Sequence, residues 1–118
     1  MKASKPVLLI VEDKDYIARI IEANLSAEFD CIVAPDSASA LEGAQKCDAA
    51  VVSREFEDRT GLALMRRMRE IKDFPVTVIT NQTYSEFRIE SFKAGADDVV
   101  SKPFNPEELM LRMLRLLK

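Results

Sequence analysis

The sequence predicts an α/β fold: a doubly wound, five-stranded parallel sheet with five helices. Three observations lead there. Short apolar runs alternate with amphipathic segments five times along 118 residues, the pattern of repeated β-α units. The runs are continuously apolar, as strands buried on both faces require. Polar residues and prolines punctuate the run ends, where chains turn.

Val7-Leu8-Leu9-Ile10-Val11 is the first strand. Glu12-Asp13-Lys14-Asp15 ends it, and Asp15 is a reasonable N-cap for a helix carrying Ile17, Ile20, Ile21 and Leu25 at helical spacing. Cys31 to Ala34 is a short strand stopped by Pro35; Asp36 or Ser37 can cap the second helix, with Ala38, Leu41 and Ala44 on one face. Ala49 to Val52 is the third strand. Ser53 to Gly61 is polar, ends in glycine and reads as a loop. Leu62, Met65, Met68 and Ile71 mark a third helix, and Val76 to Thr80 a fourth strand after Pro75. Residues 84–94 form a more polar helix anchored by Phe87 and Phe92 and closed by Gly95. Asp98-Val99-Val100 is the fifth strand. Pro106 suits the first turn of a last helix lined by Leu109, Met113, Leu116 and Leu117.

The length fits one domain over 1–118, with residues 1–5 as a flexible tail. Apolar residues make up 47% and charged residues 31%, and the net charge is −3. That balance gives no general attraction to nucleic acid or anionic membrane. No apolar stretch reaches spanning length, and the N-terminus lacks a secretion-type apolar region. A cytoplasmic protein is expected, with Cys31 and Cys47 as free buried thiols. In open α/β sheets the working site lies at the carboxyl ends of the strands. That rule alone selects Glu12, Asp13, Ser53, Thr80 and Lys102.

Those residues carry a resemblance. Leu9-Ile10-Val11-Glu12-Asp13, Thr80, and the run Gly95-Ala96-Asp97-Asp98-Val99-Val100-Ser101-Lys102-Pro103-Phe104 are similar to the response-regulator receiver domains of two-component signalling. The last motif is close to a signature, and the likeness runs end to end. It implies a flavodoxin-like sheet of order 2-1-3-4-5. The family places its phosphorylated aspartate at the end of strand three, eight residues before a loop glycine; counting back from Gly61 gives Ser53. The resemblance is therefore to a degenerate pseudo-receiver.

Glu12 and Asp13 match the acidic pair that holds magnesium in the family, a hard cation wanting oxygen ligands. Carboxylates at a helix start also favour the macrodipole without any metal. With serine in place of the third carboxylate, Mg2+ binding is expected to be weakened. A serine hydroxyl needs a base to attack phosphorus, and the chain has no histidine. Phosphotransfer from a histidine kinase is therefore not expected. Thr80 and Lys102 match the residues that contact the phosphoryl group, and Lys102 should pair with Asp13 or Glu12. Arg54 can add a second cation, although a solvated arginine is the simpler reading. Glu55, Glu57 and Asp58 can in principle supply a displaced acceptor; a solvated acidic loop is simpler. Val99 replaces the usual aromatic switch residue with a stiff β-branched one. Asn81 is larger than the family's usual residue and should partly close the pocket. The Lys102–Pro103 bond matches a cis bond of the family.

The fourth helix, fifth strand and fifth helix match the family's output face. Arg88, Asp97, Asp98, Val99, Glu108 and Arg112 fall at positions of its dimer contacts, while Lys93 departs from them. Exposed helix charges also pair at i,i+4 for a few tenths of a kcal/mol without any partner. The expected function is a phosphorylation-independent module for interaction or homodimerisation, regulating an output domain beyond residue 118 or a separate partner. The alternatives are a phosphotransfer-competent receiver using Ser53 or a loop carboxylate with Mg2+, and a small-ligand sensor. No nucleophile–base pair or glycine-rich phosphate loop points to an enzyme.

Overall fold

The computed structural model describes residues 4–118; most of the expected N-terminal tail, residues 1–3, lies outside them. Five strands form one parallel sheet: β1 Val7–Val11, β2 Asp30–Ala34, β3 Ala49–Ser53, β4 Val76–Thr80 and β5 Asp98–Ser101. Its order is β2-β1-β3-β4-β5, so the expected doubly wound fold is present. Among the described residues six helices accompany them, one more than the five expected: α1 Asp15–Leu25, α2 Ser37–Ala44, α3 Phe56–Arg59, α4 Gly61–Ile71, α5 Ser85–Lys93 and α6 Pro106–Leu116.

The extra element, α3, is one turn inside the stretch expected to be loop. Glu57, Asp58 and Arg59 have φ of 44°, 59° and 70°, a region costing non-glycine residues roughly 1–2 kcal/mol each. Surrounding bonds hold the turn. Phe56 is fully buried, and Thr60 Oγ1 donates to Phe56 O and Glu57 O, both at 3.1 Å. Gly61 follows because the chain doubles back on β3: a Cβ there would meet Ser53 O at 2.0 Å.

The strands carry side chains alternately to two faces. Leu9, Val11, Ala50 and Val52 pack with Phe56, Met65 and Met68 on one side. Leu8, Ile10 and Val51 pack with Ile21, Leu25, Leu109 and Met113 on the other. Ile20 and Ile71, expected in the core, are 44% exposed, because each lies at the margin of its helix's apolar stripe. Phe92 is also exposed; α5 buries Ser91, whose hydroxyl is satisfied by Phe87 O at 3.0 Å. Lys14 occupies the N-cap position of α1, without a side-chain bond, while Asp36 caps α2 in a reciprocal capping box with Ser39. Gly95 closes α5 at φ 116°. Both cysteines are free, and burial pushes the Cys47 thiol up to about 11.

Phe56 anchors the segment between Ser53 and Gly61. Phe56→Ala should cost about 3–5 kcal/mol in urea unfolding. A cost below about 1 kcal/mol would show that the segment does not depend on this anchor.

Candidate functional site

The register of the parallel strands gathers the candidate residues. Val11 pairs with Val52, so Glu12 and Ser53 take the next step on neighbouring strands. Thr80 pairs with Ser101, and the Lys102 amide donates to Thr80 O at 2.6 Å. That bond extends the ladder past β5 and sets Lys102 above the sheet edge. The Lys102–Pro103 peptide is cis.

Lys102 Nζ is the centre of the site. It donates to Ser53 Oγ at 3.1 Å and lies 3.2 Å from Glu12 Oε1 and 3.8 Å from Glu55 Oε1. Ser53 and Glu12 are buried. The Glu12 side chain is 1% exposed, and its Oε2 accepts from the Lys14 amide at 3.2 Å. Oε1 has no directed hydrogen bond despite its closeness to Lys102, so that contact is primarily one of opposite charges. Burial raises the Glu12 pKa above the ordinary value, and Lys102 and the Lys14 amide only partly offset it. Lys102 therefore pairs with Glu12. Asp13 is exposed and accepts from the Glu57 amide at 3.0 Å.

Two residues read from sequence as solvated belong to the site. Glu55 turns inward: Thr80 Oγ1 donates to its Oε2 at 2.7 Å, and the Asn81 amide to its Oε1 at 3.0 Å. Arg54 is buried; Nη2 and Nε donate to Glu90 Oε1 at 2.5 and 3.2 Å, and the guanidinium lies 4.6 Å over the Phe87 ring. Of the other loop acids, Glu57 accepts from Ser37 Oγ and Asp58 is exposed. Asn81 is exposed at the rim, so Glu55 is the side chain that reaches Thr80. The site opens into a cleft of about 430 Å³ whose apolar wall includes Tyr16, Ile17, Ile20 and Phe104.

The charges expected at the output face are largely engaged within the chain. Arg112 donates to Asp98 at 3.0 Å and to Glu108 at 2.9 Å, and these bonds, Asp98 first, raise its pKa. Asp97 pairs with Arg69 of α4 and accepts from the Val76 amide at 2.8 Å; it ties α4 to the amino ends of the strands. Arg88 donates to Thr83 O at 2.8 Å. Val99 is half-buried, paired in register with Val78.

A charged site at the carboxyl edge of a 2-1-3-4-5 parallel sheet is the layout of a doubly wound binding domain, and comparison with known proteins gives the family. Residues 8–114 match the response regulator receiver domain, and the chain belongs to that family. It is 32% identical over 114 residues to the transcriptional regulatory protein SrrA of Staphylococcus aureus, covering 94% of this chain and 47% of SrrA. The chain thus spans about half the length of the curated relatives it matches. Among solved structures, the receiver domain of Francisella response regulator 1452 has TM-score 0.86 and 29% identity, covering 96% of this chain and 97% of that one. DrrB, a Thermotoga maritima OmpR/PhoB homolog, has TM-score 0.87 and 26% identity, covering 96% and 52%.

Raised in the fold, the Glu12 pKa favours folding below its ordinary value of 4.5; that contribution is lost as pH rises through the raised value. At pH 7 the buried carboxylate depends on its cation. Lys102→Met should cost about 3 kcal/mol at pH 7, and the cost should shrink towards pH 4.5 as Glu12 takes a proton. Urea unfolding at both pH values reads this; a cost independent of pH contradicts it.

Proposed function

We propose that this receiver domain works without phosphorylation, as a cytosolic interaction module that regulates an output domain or a protein partner. The observation that carries the reading is Ser53. It stands at the end of β3, buried, with the Lys102 ammonium donating to its oxygen at 3.1 Å. A serine attacks phosphorus only when a base takes its proton. Here the oxygen's close partner is a cation, which lowers its nucleophilicity, and among the described residues Ser53 Oγ donates to no carboxylate.

The donor set also fits magnesium poorly. Glu12 and Asp13 are joined by a neutral hydroxyl, and Lys102 lies within 3.2 Å of Glu12 and 3.1 Å of Ser53. Among the described residues no group of three or more carboxylate, histidine or cysteine side chains is placed to hold a metal. The lysine supplies the counter-charge itself.

The output surface supports a protein partner. Ile89 and Phe92 of α5 and Leu111 of α6 are about half exposed, at 52%, 49% and 54%, on helices that also carry exposed charged residues. Apolar groups ringed by charges are the composition of a protein interface. A second copy of this domain, docked through α5, β5 and α6, fits that surface, and nothing in the charge balance favours nucleic acid.

Incubation with acetyl phosphate and magnesium, followed by intact mass measurement, tests the reading. Wild type should gain no phosphoryl group, and Ser53→Asp/Glu55→Ala, which supplies an acceptor carboxylate and frees Thr80, should gain one. A wild-type adduct abolished by Ser53→Ala or Glu55→Gln would instead establish a competent phosphotransfer domain.

A further inference from the structure

The groups at this edge that suit a small oxyanion already hold one. Thr80 Oγ1 donates to one oxygen of Glu55 at 2.7 Å and the Asn81 amide to the other at 3.0 Å. Lys102 Nζ lies 3.8 Å from Oε1 and Arg54 Nη1 3.7 Å from Oε2. Each carboxylate oxygen thus has a hydrogen bond and a nearby cation, the arrangement that holds anions most firmly. The Glu55 side chain is 19% exposed, whereas glutamates usually extend into water. The same arginine reaches the opposite way, donating to Glu90 at 2.5 Å and covering the Phe87 ring at 4.6 Å, both on α5.

We propose that Glu55 is the built-in occupant of an oxyanion cradle made by Thr80, Asn81 and Lys102, and that Arg54 ties its occupancy to helix α5. The domain then holds one conformation of its output face with no added phosphoryl group. The ligand class that Glu55 excludes is a small oxyanion such as inorganic phosphate. This inference rests on the reading of the chain as phosphorylation-independent and supplies its physical basis. Because Glu55 donates nothing to the core, its removal leaves the packed faces of the sheet intact.

The test is an amide NMR titration with inorganic phosphate on wild type, Glu55→Gln and Glu55→Ala. The Asn81 amide of wild type should be silent. Glu55→Ala should bind phosphate at least about tenfold more tightly, with shifts at Thr80 and Asn81. The Phe87 and Glu90 signals should move when Glu55 is removed and return towards wild type as phosphate fills the cradle. Equal phosphate responses in wild type and Glu55→Ala overturn the proposal, as does an Asn81 amide that ignores the substitution. Unmoved Phe87 and Glu90 signals overturn the link to α5. If Glu55→Ala loses amide dispersion, Glu55→Gln decides: Asn81 and Phe87 signals at wild-type positions contradict a charge-held cradle. Phosphoryl uptake in the mass experiment strikes the parent reading instead, so the two failures are distinguishable.

Discussion

The site depends on one ammonium group in a confined space. Lys102 is carried past the end of β5 by the ladder bond from its amide to Thr80, so its charge is fixed over the sheet edge by backbone geometry. Two carboxylates, Glu12 and Glu55, and the Ser53 hydroxyl lie near it, and Glu12 is too buried for water to solvate it. An ionised carboxylate in such a place needs a partner. Lys102 provides it, and its ammonium also donates to Ser53 Oγ at 3.1 Å. On the proposed reading, serine in place of an acidic acceptor leaves the cluster one negative charge short. The loop returns one through Glu55.

The rest of the edge follows from that exchange. Glu55 can reach Thr80 because Phe56, the next residue, is sunk into the core and fixes the turn. Arg54, the residue before, lies between Glu55 and α5. The three residues after Ser53 therefore act together: a cation facing outward to α5, an anion facing inward to Thr80, and an aromatic anchor. In a low-dielectric setting such a network is stiffer than separate surface pairs, whose individual worth is small. Arg112, shared by Asp98 and Glu108, stiffens the same face from β5 and α6.

The sheet and most helices were legible in the sequence because each strand is an uninterrupted apolar run and each boundary carries a residue with a physical reason to be there. Asp36, Gly95 and Pro106 stand where their chemistry predicts. The placement of Glu12, Ser53, Thr80 and Lys102 at one edge followed from the fold class. Arg54 and Glu55 did not, since a charged residue after a strand looks the same whether it points to water or folds back. Phe56 was the available signal: one aromatic among charges marks a loop that dips into the core and takes its neighbours with it. Phe92 was misplaced for a related reason, and the pairing of Asp97 with Arg69 was not legible either. Helix α5 has no strong apolar face, so residue type alone cannot orient it, and Asp97 found its arginine on α4, far away in sequence.

On the proposed reading, the pocket keeps Glu12, Thr80 and Lys102 at one sheet edge, while Ser53 cannot accept a phosphoryl group and Glu55 occupies the cradle. An amide NMR titration with magnesium and then beryllofluoride, on wild type and on Ser53→Asp/Glu55→Ala, is the decisive measurement. On that reading wild type should stay silent, and Ser53→Asp/Glu55→Ala should respond with shifts centred on Thr80 and Lys102. A wild type that itself responds would contradict it. Silence in both would locate the loss elsewhere in the fold, with Val99 the first residue to examine.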